Sequence, residues 1–163
     1  MVESAAPGIL LEWADESDTA AFAARWAGTP ALANAFVALH GDLGAGKTTL
    51  VRHLLQALGV TGRIKSPTYA VVEPYELPAL NIWHFDFYRF NDPREWEEAG
   101  FRDIFASPGL KLAEWPEKAA GMLPPADVNL YLHTLDDHRR RVRLVATTPA
   151  GQQLVEAAQG AGA

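Results

Sequence analysis

Residues 41–48, Gly41-Asp42-Leu43-Gly44-Ala45-Gly46-Lys47-Thr48, follow the pattern G-x-x-x-x-G-K-[ST] and stand between two segments of different periodicity. Before them, Phe36-Val37-Ala38-Leu39 is a continuous apolar run too short for a helix, the kind found in a strand covered on both faces of a parallel sheet. After them, Leu50, Val51, Leu54, Leu55 and Leu58 form one face of an amphipathic helix, Arg52 and Gln56 lie off it, and Gly59 supplies a stop. A strand, a glycine-rich turn and a helix in that order converge backbone N–H groups on the helix N-terminus, which suits a phosphate chain. A glycine-rich turn that merely precedes a helix is the plainer reading, and this match in its full strand-to-helix context argues against it.

Each residue type then has a chemical task. The backbone from Gly41 through Asp42, Leu43, Gly44, Ala45 and Gly46 to Thr49 would wrap the phosphates of ATP, Lys47 would bridge their oxygens, and the Thr48 hydroxyl would ligate Mg²⁺. Asp86 closes an apolar strand and could hold the metal directly or through water. Glu114 ends Leu110-Lys111-Leu112-Ala113 in the same way, so both acids are candidates for the metal and for positioning an attacking water, and spacing does not rank them. Thr68, in a polar loop about twenty residues beyond Thr48, is placed like a switch threonine, although a plain turn residue is the commoner meaning of such a position.

The remainder of the chain reads as alternating short strands and helices. Ile9 to Trp13 has strand character; Asp15, Ser17 or Asp18 could cap a helix bearing Ala20, Phe22, Ala23 and Trp26, ended at Gly28-Thr29-Pro30. Tyr69 to Tyr75 and Leu80 to Tyr88 are β-rich, with Ile82, His84 and Asp86 on one face. Asp92-Pro93 begins a short acidic helix through Glu98, stopped by Gly100. Val128 to Leu132 and Val142 to Val145 suggest an antiparallel hairpin around Asp136 to Arg139, and Gln152 to Gln159 one or two helical turns before a frayed end. These segments predict an α/β fold, P-loop NTPase-like, with a mostly parallel central sheet flanked by helices and a C-terminal antiparallel hairpin, in one domain over 1–163.

Composition narrows the function. The formal net charge is −6, so bulk nucleic-acid binding is disfavoured. The chain has no cysteine, which removes disulfides, thiolate zinc sites and cysteine nucleophiles. No basic leader precedes the short Ile9-Leu10-Leu11 run and no apolar run reaches membrane length, so a cytoplasmic protein is expected. His40, His53, His84, His133 and His138 lack metal-binding spacing, and Trp13, Trp26, Trp83 and Trp96 read as packing residues. The arginines from Arg139 to Arg143 read as a solvated strand face or a small anion contact.

Taken together, residues 41–49, Lys65-Ser66-Pro67-Thr68-Tyr69 with Glu73-Pro74-Tyr75, His84-Phe85-Asp86-Phe87-Tyr88-Arg89 and Glu114-Trp115-Pro116-Glu117 resemble, in order and spacing, the TsaE (YjeE) family of bacterial ATPases. The resemblance implies an accessory ATPase in synthesis of threonylcarbamoyladenosine on tRNA, one that binds the TsaD–TsaB assembly and touches tRNA only indirectly. It implies phosphate binding by Gly41 to Thr49, Thr48 and Glu114 as magnesium ligands, Asp86 as the Walker B acid, and Thr68 and Trp115 as switch residues. Asp15 to Ser17 and Arg139 are implied near the adenine. A dense Arg139-Arg140-Arg141 run exceeds what nucleotide binding needs. Two other readings compete: a small P-loop kinase, against which the chain has no evident arginine-bearing lid, and an ATP-gated binding module without productive hydrolysis. A GTPase is disfavoured by the absence of an N-K-x-D motif.

Overall fold

The computed structural model describes residues 8–62, 64, 71–90, 92, 94 and 100–159. Thr68 and its neighbours 65–70, Trp96, most of the acidic helix expected after Asp92, and the glycine-alanine end 160–163 lie outside the described residues.

Seven strands form one sheet: β1 (Gly8–Trp13), β2 (Phe36–His40), β3 (Val72–Leu77), β4 (Leu80–Asp86), β5 (Leu110–Glu114), β6 (Val128–Thr134) and β7 (Arg140–Ala146), in spatial order β1-β7-β6-β2-β5-β4-β3. The central strands β6, β2, β5 and β4 are mutually parallel. The pairs β1–β7, β6–β7 and β3–β4 are antiparallel, so the sheet is mixed, with its parallel part confined to the middle. The physical reason is connection length. Only Pro78 and Ala79 join β3 to β4, and only residues 135–139 join β6 to β7; such short links can return a chain only antiparallel to itself. Pro74 is tolerated in β3 because that strand is the edge of the sheet.

The four described α-helices are α1 (Glu16–Ala27), α2 (Lys47–Leu58), α3 (Phe101–Ala106) and α4 (Pro149–Ala158). Asp15 caps α1 by accepting the Ser17 N–H at 3.0 Å, and Gly59, at φ 109°, ends α2. Helices α1, α2 and α4 cover one face with Phe22, Trp26, Leu50, Leu54 and Leu154, meeting Val37, Leu39, Leu130 and Leu144 of the strands. The buried Trp26 indole donates its Nε1–H to the Leu154 carbonyl at 3.0 Å, tying α1 to α4. The opposite face carries Phe36, Phe85, Phe87, Phe90 and Phe101. Two features exceed the sequence reading: α3 begins where Gly100 was read only as a stop, and α4 runs ten residues because Pro149 opens it at the first helical position behind the Thr148 cap.

Candidate functional site

Parallel strands β2, β5 and β4 end side by side, and this edge positions the chemistry-bearing residues. The loop 41–46 leaves the end of β2 and turns into α2. Gly41, Gly44 and Gly46 have φ of 150°, 80° and 107°, values that L side chains rarely adopt. A Cβ on Gly41 would also stand 2.8 Å from the Leu132 carbonyl oxygen. Leu50 N–H bonds back to the Gly46 carbonyl at 3.0 Å, and the amides preceding it at the start of α2 have no intrahelical acceptor. The loop therefore leads into a positive helix end whose first amides have no intrahelical acceptor.

Lys47 is 4% exposed. Its Nζ donates to the Gly41 carbonyl and lies 3.5 Å from the centre of the Trp115 ring. Burial pushes its amine below the ordinary lysine value, opposed by the nearby carboxylates of Glu114, Glu117, Asp86 and Asp42. Trp115 reaches this position because its backbone is left-handed, φ 56° and ψ 48°, unlike any other described non-glycine residue. The turn swings the indole back over the loop, where Tyr88 packs on it at 5.0 Å.

Strand register brings the two acids together. Asp86 of β4 pairs with Glu114 of β5, so both lie at the same level of the sheet. Glu114, 2% exposed, accepts the Thr48 hydroxyl on Oε1 at 3.0 Å, with Oε2 3.3 Å away. Asp86 accepts the Tyr88 N–H at 3.0 Å, and burial raises its carboxyl above the ordinary value against that hydrogen bond. Thr48, Glu114 and Asp86 thus offer hard oxygen donors of the kind a magnesium ion accepts when phosphate oxygens complete its shell. No group of three or more His, Asp or Glu side chains that could hold a metal ion occurs among the described residues.

A cleft beside the loop is lined by Asp15, Glu16, Thr49, Asp137, His138 and Arg140 among others. Asp15 and Glu16, at the start of α1, therefore border the same cleft as loop residues Ala45 and Gly46. Arg139 does not line this cleft; it bonds Asp136 at 2.8 Å and pairs with Glu12 at 3.7 Å. Arg140 instead reaches the loop, donating from Nε to the Ala45 carbonyl at 3.0 Å. Alternation along β7 could have singled it out, because Arg140 is in phase with buried Val142 and Leu144, whereas Arg141 and Arg143 are exposed. His84, read from spacing as unremarkable, is buried and 2.6 Å from Glu114 Oε2.

Comparison with known proteins shows the family. The model of the family described as "Threonylcarbamoyl adenosine biosynthesis protein TsaE" matches residues 13–142. A Haemophilus influenzae protein named "tRNA threonylcarbamoyladenosine biosynthesis protein TsaE" is 47% identical over 121 residues, 74% of this chain and 76% of its own. The Bacillus subtilis protein of the same name is 32% identical over 118 residues, 72% and 73% of the two chains. The crystal structure of Bacillus subtilis YdiB superposes with a TM-score of 0.76 at 26% identity, covering 94% of this chain and 95% of that one. With the family model spanning most of its length, and relatives more than 30% identical over more than two thirds of it, the chain belongs to the TsaE family.

Proposed function

We propose that this protein is a magnesium-dependent P-loop ATPase of the bacterial cytoplasm that supports turnover of a TsaD–TsaB complex during threonylcarbamoyladenosine modification of tRNA. The observation that carries the reading is the convergence of Lys47, Thr48 and Glu114 on a loop whose glycines hold left-handed backbone and whose helix begins with amides that have no intrahelical acceptor. Its place between β2 and α2, at the end of a parallel strand block, supports a P-loop NTPase-like architecture.

In the proposed chemistry the amides of residues 41–49 hold the β- and γ-phosphates, and the Lys47 amine leaves the Gly41 carbonyl to neutralise them. Thr48 and Glu114 would hold Mg²⁺, which supplies charge neutralisation to the phosphoryl group in transfer. Asp86, drawn toward its neutral form by burial, accepts a hydrogen bond from the Tyr88 amide on one oxygen and has the other for a water. The cleft of Asp15, Glu16 and Arg140 would take the nucleoside end. Thr68 would act as a switch residue and Trp115 as the group that senses where Lys47 sits. The partner complex completes the site, so the isolated protein turns over slowly, as in switches where a supplied group is worth about 10³-fold or more.

The test is ATP hydrolysis by the purified protein alone and with purified TsaD and TsaB. Stimulation lost in Glu114→Ala supports the reading. Binding of ATP with no phosphate release in single turnover, with or without the partners, would leave an ATP-gated binding module instead.

A further inference from the structure

We infer that His84 is a positioning residue for Glu114, fixing the rotation of the carboxylate that the site presents to the Thr48 hydroxyl and to a cation bound there. The inference rests on the ATPase reading above and adds a residue to its machinery. His84 is 1% exposed and stands on β4, one strand from Glu114 on β5. Its Nε2 lies 2.6 Å from Glu114 Oε2. An ionised carboxylate only accepts, so the hydrogen resides on Nε2 and the imidazole donates.

The other ring nitrogen strengthens the assignment. Nδ1 is buried and has no hydrogen-bond partner among the described residues. Neutral imidazole protonated on Nε2 leaves there only a bare acceptor, whereas any form with a hydrogen on Nδ1 would leave a buried donor unmet. The ring thus makes one hydrogen bond, and that bond ends on Glu114. A buried polar side chain that spends its sole bond on a site carboxylate is arranged for that carboxylate rather than for the core.

The geometric consequence is a carboxylate held from two sides, by the imidazole behind it and by the Thr48 hydroxyl in front. Oε2 is held from the protein interior by His84, and Oε1 is the one nearer the exposed Thr48 hydroxyl, at 3.0 Å against 3.3 Å. Without the imidazole, the carboxylate would keep only the Thr48 hydroxyl as a side-chain anchor, and its rotation would have to be fixed anew when a ligand binds. Partners of this kind, placed behind a metal-binding group, change metal affinity by about 10–100-fold when removed.

The experiment uses the full chain, a non-hydrolysable ATP analogue and Mn²⁺ as a paramagnetic probe read by electron paramagnetic resonance. His84→Leu is expected to weaken Mn²⁺ binding to the protein–analogue complex by about tenfold or more, while analogue affinity in chelator stays at the parental value. His84→Gln, whose amide nitrogen falls where Nε2 was, is expected to restore most of the loss; a purely structural role would not follow the donor in this way. Equal Mn²⁺ affinity in His84→Leu and parent overturns the role of His84 and leaves the ATPase reading standing. A parent chain that binds no analogue overturns both. Should His84→Leu fail to fold, ¹⁵N spectra of the parent imidazole decide: a hydrogen on Nε2 supports the inference, and one on Nδ1 alone overturns it.

Discussion

Gly151 illustrates how a single residue can be set by its neighbours rather than by its own element. It lies in the first turn of α4, where glycine-to-alanine ordinarily favours a helix by about 1 kcal/mol. Here a Cβ would stand 1.8 Å from the Asp127 carbonyl oxygen. Asp127 cannot yield easily, because its side chain accepts the Phe36 amide at 2.7 Å and the Thr148 hydroxyl at 2.7 Å. Gly151→Ala is therefore expected to destabilise the protein by about 1–3 kcal/mol, measured by urea unfolding; an unchanged or raised midpoint would contradict the packing described. Trp26→Phe keeps the ring but removes the bond to Leu154, at an expected cost of about 1–2 kcal/mol in the same assay.

At the level of the element, the β6–β7 turn is held by one exposed carboxylate. Asp136 accepts the amides of His138 and Arg139 at 3.0 and 2.8 Å and the Arg139 guanidinium at 2.8 Å. These bonds hold its carboxyl well below the ordinary carboxylate value of 3.8. A carboxyl whose folded-state pKa is lowered stabilises the fold above the unfolded-state value and loses that contribution as pH falls toward the folded-state value. Asp136→Ala should accordingly unfold at lower urea than the parent at pH 7, and the gap should close as pH drops below 3.8. A gap that persists unchanged below that pH would mean that the Asp136 side chain holds the turn without its charge, and no gap at pH 7 that the turn is held without this side chain. The same turn carries Arg140 to the phosphate loop, so nucleotide affinity should fall with it.

On the scale of the whole molecule, the proposed ligand site joins elements from both halves of the chain: α1, the loop before α2, the ends of β4 and β5, and the β6–β7 turn. A ligand that binds only this assembled arrangement stabilises all of it. At about 100 times its dissociation constant, magnesium-ATP should contribute about 2.7 kcal/mol, a rise in Tm of about 5–10 °C for a chain of this size. Differential scanning calorimetry of the parent and of Lys47→Ala would show it; equal shifts in both would remove Lys47 from phosphate binding.

The glycine-rich loop between β2 and α2 was legible because its pattern is local. Glycines at fixed offsets, a lysine and a threonine lie within eight residues, between a strand and a helix whose periodicities are written in the chain. The same holds for the stop at Gly59, and for a cap among Asp15, Ser17 and Asp18, of which the structure uses Asp15. Asp86 and Glu114 were visible as strand-ending acids, yet their union depends on the register of β4 against β5, a pairing between segments 28 positions apart that no local pattern encodes. For the same reason His84 looked like one more strand residue until β5 placed Glu114 beside it. The swing of Trp115 over Lys47 is likewise a tertiary matter: an indole would not hold a left-handed backbone unless the lysine, Tyr88 and the sheet end around it made up the cost. Short-range propensity and periodicity thus wrote the loop into the sequence, and long-range strand pairing decided which side chains would stand around it.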